Sequence, residues 1–370
     1  MILTSIKLSN FRIHKKTELE FSERLNYLVG GNGQGKTSIL ESIYYLCTTK
    51  SFETKADSEA VTFGEYNFEI AGDFKDITEN KVRVSYLANE NKKFYYLNDK
   101  QLTRSSEIIG RFPVVLLTPA DHSITQGAPG DRRKFVDSVI SQASSTYLQT
   151  LLEYNKTLRQ RSSLLNRMRE KTDRQMLREL DAWTEKLVQS GTEIINHRIN
   201  FINEFYPFVV ESYSRIMEEN EAPGIVYSFL NNFMGGDIKE RFENLLSGRR
   251  NDELRRAANL VGPHRDDFIL TINNLNLKTY GSQGQHKTFQ AVLRFAEFFY
   301  LKNVTGKTPI FLLDDVFGEL DANRAGSISL YLKEVGQAFV TLTDFANFKF
   351  LTKEEDDKAI KLQNGTVAYA

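Results

Sequence analysis

The chain has 370 residues, with 48 Lys and Arg against 48 Asp and Glu, so its formal net charge is zero. Its length suits two or three domains, and its 41% hydrophobic and 26% charged residues are typical of globular proteins, which excludes a disordered or fibrous chain. Zero net charge also excludes a generally basic protein that coats nucleic acid. Any binding of nucleic acid must therefore come from local basic patches.

Membrane and export signals are lacking in the sequence. No apolar run reaches the roughly 18 residues that a membrane-spanning helix needs. Residues 1–7 lack the basic region and apolar core of a signal peptide. Cys47 is the one cysteine, which excludes an intrachain disulfide and fits a reducing compartment. We therefore expect a cytoplasmic protein with no membrane partner.

The first hundred residues predict a region rich in short strands. Several segments there are β-branched or aromatic and are bounded by polar residues. These segments are residues 2–8, 25–29, 68–74, 82–87 and 94–97. The pairs Asn98-Asp99 and, much later, Asn273-Asn274 lie between apolar stretches and predict tight hairpin turns. A helix is predicted from Thr37 onward by the spacing of its apolar residues.

Residues 30–37 fit the phosphate-loop pattern, in which a glycine is followed after four residues by Gly-Lys-Thr. The glycines allow a tight turn whose N–H groups point at phosphate oxygens, and the following helix adds its positive dipole end. Lys36 is expected to reach the β- and γ-phosphates, and the Thr37 hydroxyl to bind Mg²⁺. The expected ATP-binding residues of this segment are Gly30, Gly31, Asn32, Gly33, Gln34, Gly35, Lys36, Thr37 and Ser38.

The middle of the chain predicts helices. Residues 132–213 contain one glycine and one proline and show long helical periodicity. The polar segment 171–174 predicts a turn between two helices, which gives an antiparallel helical hairpin. Strand character returns at residues 268–272 and 310–313, with a helix at 289–301 between them.

The strand at residues 310–313 ends in two carboxylates, Asp314 and Asp315. In this position Asp314 is expected to hold Mg²⁺, and Asp315 to orient or deprotonate the attacking water. The alternative for Asp315 is a helix N-cap. Because 277 residues separate Thr37 from Asp314, the nucleotide-binding core is predicted to be split by an insertion.

A short polar motif precedes the Asp-Asp strand. It consists of Ser282, Gln283, Gly284 and Gln285. A hydroxyl and a flexible glycine at a helix start are able to donate to a phosphate. The motif resembles the signature of ABC-type ATPases, which acts in trans on a nucleotide held by the partner's phosphate loop.

These motifs, in this order, resemble the RecF family of DNA-repair ATPases, which is related to SMC-type heads. The resemblance covers essentially the whole chain and includes residues 10–12, 29–37, 40–44, 129–137, 262–267, 282–285 and 312–321. It implies an ABC-type ATPase head, bound ATP and Mg²⁺, and Arg12 near the nucleotide. It further implies an ATP-driven homodimer that clamps DNA, acts with RecR and RecO at single-stranded gaps, and helps to load RecA.

The resemblance and the motifs together predict an α/β fold: a P-loop ABC-type ATPase head with a mixed sheet, an antiparallel β lobe and an inserted α-helical lobe. The expected divisions are residues 1–125 and 251–370 for the head and 126–250 for the helical lobe. The stretch 156–178 carries eight basic and two acidic residues and is a candidate DNA contact, with a solvated helical face as the alternative. Its candidate residues are Lys156, Arg159, Arg161, Arg167, Arg169, Lys171 and Arg174.

The sequence also allows other functions. One alternative is the ATPase subunit of a transporter, but the sequence shows no features that would couple it to a membrane protein. An ATP-dependent nuclease needs a separate acidic metal cluster, for which Asp266 and Asp267 are the obvious carboxylates. His264 fits either a γ-phosphate sensor or a structural histidine capped before a strand. Arg265, with Asp266 and Asp267, fits a catalytic role or an internal salt-bridge network equally well. A head retained only as a scaffold is disfavoured by the intact Lys36 and Asp314.

Overall fold

The computed structural model describes residues 1–170, 173–217, 221–231, 233, 235–319, 321–344, 354–363 and 365–369. The chain divides into two compact units. The first unit comprises the described residues of 1–121, 211–219 and 287–370, and the second those of 122–210 and 220–286. Within the described residues, no helix carries an apolar stretch of the length that a bilayer crossing requires.

The strands follow one another in chain order as β1 (Ile2–Phe11), β2 (His14–Glu20), β3 (Leu25–Val29), β4 (Asn67–Lys75), β5 (Glu79–Leu87), β6 (Lys92–Leu97), β7 (Lys100–Gln101), β8 (Val114–Leu117), β9 (Pro223–Ser228), β10 (Asp267–Ile272), β11 (Leu275–Asn276), β12 (Ile310–Leu313), β13 (Ala338–Leu342), β14 (Lys358–Gln363) and β15 (Thr366–Tyr369). The helices are α1 (Lys36–Thr48), α2 (His122–Gln126), α3 (Pro129–Ala143), α4 (Ser145–Met168), α5 (Arg174–Ile216), α6 (Ile238–Arg256), α7 (Leu277–Tyr280), α8 (Gln283–Thr305) and α9 (Ala322–Leu332).

The first unit contains a mixed sheet with strand order β15-β14-β3-β13-β12-β8. Its neighbours pair in parallel, except that β15 runs antiparallel to β14. Every residue of β3, β12 and β13 is buried, as expected for parallel strands that are covered on both faces. Because these three strands are adjacent and parallel, their carboxyl ends meet at one edge of the sheet.

An antiparallel sheet with the order β2-β1-β4-β5-β6-β7 completes the first unit. Helix α1 contributes Ile39, Ile43 and Leu46 to a core that also contains Leu3 and Phe68 from this sheet. The mixed sheet and the antiparallel lobe confirm the predicted fold class. Strand β2 was not predicted from the sequence, because only three of its seven residues are buried and its apolar pattern is weak.

Both predicted hairpin turns are confirmed. Asn98 and Asp99 join β6 to β7, and Asn273 and Asn274 join β10 to β11. All four residues have φ between 51° and 64°. Two consecutive left-handed residues are the geometry of a type I′ turn, which Asn and Asp tolerate better than most side chains.

The second unit is built on the antiparallel pair α4 and α5. Hydrogen bonds join Thr150 to Glu193 at 3.3 Å and Arg161 to Thr184 at 3.1 Å. A later residue of α4 thus contacts an earlier residue of α5, so the two helices are antiparallel. This is the predicted helical hairpin. Of its predicted turn, residues 171 and 172 lie outside the described residues.

The division of the chain differs from the expected one. The structure places 251–286 in the second unit, whereas the sequence analysis assigned this stretch to the head. The reason is local contact: Glu253 and Asn259 bond to Arg161 of α4, and Asp267 bonds to Arg132 of α3. The described residues 211–217 are part of the first unit rather than of the helical one.

Candidate nucleotide site

The predicted phosphate loop connects the carboxyl end of β3 to the first turn of α1. Gly35 has φ of 92°, a conformation that favours glycine, and a side chain there would meet His14 Nε2 at 2.6 Å. A side chain at Gly30 would meet the carbonyl oxygen of Leu362 at 2.5 Å. Close packing therefore requires glycine at positions 30 and 35, and the turn requires it at Gly35 as well.

Lys36 folds back over the loop. Its Nζ donates to the carbonyl oxygens of Gly30 at 2.6 Å and Gly31 at 2.8 Å. Burial lowers the pKa of Lys36, while the negative charges of Asp315 and Asp314 oppose that shift. The ammonium group is thus bonded to the loop and feels the charges of the two carboxylates that follow β12.

Asp314 meets Thr37 despite the 277 residues between them. Thr37 Oγ1 donates to Asp314 Oδ1 at 3.1 Å, and Thr341 Oγ1 donates to the same oxygen at 2.9 Å. Burial raises the pKa of Asp314, while these two hydroxyl hydrogen bonds act in the opposite direction. The arrangement brings together the two residues that the sequence predicted as metal ligands.

Asp315 has an exposed side chain and a left-handed backbone, with φ of 50°. Its N–H donates to Thr341 Oγ1 at 2.8 Å. The chain therefore leaves the sheet at this residue, whose side chain is exposed at the mouth of a cavity. The α9 N-cap is Asp321, so the N-cap alternative for Asp315 is wrong.

A cavity of about 350 Å³ lies at this edge of the sheet. It is lined by Ile13, Asn32, Gly33, Gln34, Gly35, Lys36, Thr37, Ser38, Asp314, Asp315 and Thr341. Most of these residues were predicted from the sequence. Ile13 and Thr341 were not, because neither belongs to a phosphate-binding motif.

His14 is a further residue near the loop that the sequence analysis missed. Its ring is fully buried, with Nε2 3.1 Å from the carbonyl oxygen of Gly35 and Nδ1 3.0 Å from Thr17 Oγ1. Burial lowers the pKa of His14 and so favours the neutral ring. The contact ties the last glycine of the loop to β2.

The residues present fit a magnesium ion. Thr37 supplies a hydroxyl oxygen and Asp314 a carboxylate oxygen, which are the hard ligands that Mg²⁺ takes in proteins together with phosphates and water. Over the described part of the chain, no group of three or more His, Cys, Asp or Glu side chains forms a metal cluster. The two oxygen ligands of Thr37 and Asp314 leave the remaining Mg²⁺ positions to phosphates and water.

Arg12 does not line the cavity. Its guanidinium donates to both carboxylate oxygens of Glu41, at 2.8 and 2.6 Å, and to the carbonyl oxygen of Glu59 at 2.7 Å. Glu41 is 1% exposed. A bidentate pair of this kind fixes both side chains, so in this structure Arg12 is anchored to Glu41 of α1.

The signature-like motif begins α8. Ser282 Oγ accepts from the N–H of Gln285 at 3.2 Å, and Gln285 Oε1 accepts from the N–H of Ser282 at 2.8 Å. This reciprocal pair is a capping box. Gln283 and Gly284 occupy the first turn. Because the Ser282 oxygen acts as an acceptor in the cap, its hydroxyl proton remains able to donate.

The stretch 262–267 lies in a network of hydrogen bonds inside the second unit. His264 Nδ1 is 2.7 Å from Tyr154 Oη, and burial lowers the pKa of His264 to about 4. Asp267 pairs with Arg132 at 2.7 Å and Asp266 with Arg198 at 3.4 Å. The structural alternative therefore describes His264, and both carboxylates required by the nuclease alternative are paired.

Arg161 is a correction to the predicted DNA patch. Its side chain is 3% exposed and pairs with Glu253 at 2.6 Å, with a further bond to Asn259. The local charge count could not reveal this partner, which lies 92 residues away. The other described members are exposed: Lys156, Arg159, Arg167, Arg169 and Arg174. Lys171 lies outside the described residues.

Comparisons with known proteins give a consistent picture. The family model for the RecF/RecN/SMC N-terminal domain matches residues 2–364. The chain is 40% identical to the DNA replication and repair protein RecF of Chloroherpeton thalassium, over 94% of this chain and 97% of that protein. It is 38% identical to the protein of the same name from Salinibacter ruber, over 93% of this chain and 85% of that protein.

Solved structures also match this chain. The structure described as the recombination mediator protein RecF-ATP in the RecFOR pathway matches with a TM-score of 0.90 and 34% identity, covering 100% of this chain and 97% of that one. The Smc head domain of Pyrococcus furiosus, bound to a ScpA domain, matches with a TM-score of 0.56 and 15% identity, covering 100% and 95% of the two chains. The second match shows a shared fold only.

Proposed function

The chain belongs to the RecF family, and from this premise we propose that it is an ATP-dependent DNA-binding mediator of repair and recombination. In this proposal, ATP drives two copies to close on DNA at single-stranded gaps or at single-strand to double-strand junctions. Slow, DNA-stimulated hydrolysis to ADP and phosphate then resets the protein. The observation that carries the ATP part is the meeting of Thr37 with Asp314 at the mouth of the phosphate loop.

Nucleotide binding would use the residues that line the cavity. The backbone N–H groups of the loop and the start of α1 receive the phosphates. Lys36 exchanges the carbonyl oxygens of Gly30 and Gly31 for phosphate oxygens, which carry more negative charge. Thr37 and Asp314 would hold Mg²⁺, which when bound neutralises charge on the β- and γ-phosphates.

Asp315 is the residue proposed to act on the attacking water. Its carboxylate is exposed beside Asp314, and its backbone is held by Thr341. The side chain is one carbon shorter than the Glu that many ABC-type heads place here. A shorter reach to the water suits slow turnover, as expected for a timer rather than a motor. Rapid ATP turnover without DNA would contradict this part.

Dimer formation is proposed to complete the site. Ser282 and Gly284 of one copy would contact the γ-phosphate bound by the other, and Gln283 and Gln285 shape the same turn. The Ser282 hydroxyl proton and the first N–H groups of α8 are the donors for such a contact. In this way ATP becomes part of the interface.

DNA binding is proposed for the exposed basic side chains at the α4 and α5 ends of the helical hairpin. Contacts from such groups to phosphates are independent of sequence and weaken with salt. The relatives with solved structures are described as members of the RecFOR pathway. We therefore propose RecR and RecO as partners, help in loading RecA as the outcome, and the cytoplasm as the location.

Size-exclusion chromatography with gapped DNA tests this function. The Asp315→Asn variant is compared with and without Mg·ATP, since loss of the carboxylate charge should trap the bound state. The expected result is an ATP-dependent dimer that retains DNA. The Lys36→Ala variant is the matched control and should remain monomeric under both conditions. An Asp315→Asn protein that stays monomeric with saturating ATP and DNA would overturn the clamp proposal.

A further inference from the structure

Thr341 stands out among the cavity residues because no phosphate-binding motif includes it. It lies on β13, between the strand that leads to the phosphate loop and the strand that ends in the two carboxylates. Its register partner in β3 is Leu28, and Val340 pairs with Leu313 of β12. Thr341 is therefore one step beyond the last paired residue of β12, level with Asp314.

The hydroxyl of Thr341 acts as both a donor and an acceptor. It donates its single proton to Asp314 Oδ1 at 2.9 Å and accepts the Asp315 N–H at 2.8 Å. The preceding N–H, that of Asp314, continues the sheet by donating to Leu117 at 3.0 Å. The Asp315 N–H is the first to leave the sheet, and Thr341 satisfies it in place of a strand partner.

This arrangement fixes both acidic residues. Thr37 and Thr341 donate to the same oxygen of Asp314, so they determine its side-chain rotation together. The left-handed φ of 50° at Asp315 is uncommon for a residue other than glycine and is held in place by the bond to Thr341. Thr341 itself is 2% exposed and β-branched, so its own rotamer is restricted.

We propose that Thr341 is a positioning residue for ATP hydrolysis: its hydroxyl orients the Asp314 carboxylate and directs the Asp315 side chain toward the cavity. The inference rests on the proposed ATPase function and adds a residue to it. Thr341 makes no phosphate contact in this scheme. Removing the hydroxyl should therefore reduce kcat and raise the Mg²⁺ concentration needed for turnover, while metal-free ATP binding should change little.

The test compares Thr341→Val, which keeps the side-chain shape, with Thr341→Ser, which keeps the hydroxyl. Phosphate release and equilibrium ATP binding are measured for each. We expect Thr341→Val to lower kcat about tenfold or more, because misplaced catalytic groups lose much of their effect. We expect Thr341→Ser to stay within about threefold of wild type. Thr103→Val makes the same change at an exposed position and should leave both quantities unchanged.

The possible failures are distinguishable. Absence of ATP hydrolysis in the wild-type protein would overturn the proposed function itself. Wild-type hydrolysis with an unaffected Thr341→Val, or with equal losses in the Val and Ser variants, would overturn the role of the hydroxyl alone. If Thr341→Val fails to fold by its thermal transition, the pair Thr341→Ala and Thr341→Ser isolates the same hydroxyl with smaller side chains. The expected order is then Ser well above Ala in kcat.

Discussion

The two units use similar charged residues in opposite ways. In the first unit, Lys36, Asp314 and Asp315 line an open cavity, and their partners are loop carbonyls and hydroxyls. In the second unit, Arg198 and Arg132 pair directly with Asp266 and Asp267 inside the protein. Charged residues within a motif therefore indicate a ligand site only when their hydrogen-bonding partners leave one side of each charged group exposed to the cavity.

The same contrast separates Arg161 from its neighbours on α4. Arg161 and Glu253 are almost completely buried, whereas Arg159 is exposed on the same helix. Removing one partner of a buried ion pair is strongly destabilising, because the other charge is left buried without a partner. If the second unit is a closed structural network, breaking the Arg161–Glu253 pair should cost the most stability.

Replacing Arg161 by Ala should destabilise the second unit by about 3–5 kcal/mol, because Glu253 is left buried without its partner. Trp183 is the one tryptophan of the chain and packs against the core formed by α4, α5 and α6, so its fluorescence reports unfolding of this unit. Arg159→Ala is the matched control and should change stability by less than about 0.5 kcal/mol. Equal stabilities of the two variants would contradict the closed network.

His264 should make the second unit sensitive to acid. Its pKa in the folded protein is about 4, below the 6.5 of a free imidazole, because burial and the charges of Arg265 and Arg133 disfavour the charged ring. As the pH falls below 6.5 the unfolded chain binds a proton that the folded chain does not, so stability is lost. This contribution is about 2 kcal/mol between pH 7 and pH 5.

Asp266 acts in the opposite direction over part of this range. Burial raises its pKa to about 6, so the folded protein takes up a proton first and gains stability as the pH falls toward 3.8. Replacing His264 by Gln removes the destabilising contribution and leaves that of Asp266. Denaturant unfolding at pH 7 and pH 5 should therefore show less acid destabilisation in His264→Gln than in wild type. An equal pH dependence would refute the neutral buried imidazole.

Charge reversal in the exposed basic patch should weaken DNA binding and leave the free energy of unfolding unchanged. Reversing the charges of Arg167, Arg169 and Arg174 should weaken DNA binding about tenfold or more at low salt. It should also reduce the slope of log K against log salt by up to about 2–3, since about one counterion is released per phosphate contact. Titrations at several salt concentrations measure both quantities. An unchanged affinity and slope would remove this surface from the DNA-binding proposal.

The features that contiguous residues encode could be predicted from the sequence. The phosphate loop, the strand before it and the strand ending in Asp314 are each encoded by contiguous residues, and all were located correctly. Thr341 was missed because its importance depends on the register of β13 beside β12. Arg161 was misassigned because Glu253 is distant in sequence. Residues whose partners lie in other elements require the fold before their roles can be assigned.

We propose that the edge formed by β3, β12 and β13 hydrolyses ATP and that Asp315 acts on the attacking water. Phosphate release by Asp315→Asn, measured beside its ATP affinity, tests this most directly. The variant should bind ATP within about threefold of wild type, and its turnover should fall about 100-fold or more, the scale of a lost general base. Hydrolysis by Asp315→Asn at the wild-type rate would contradict the proposed role of Asp315.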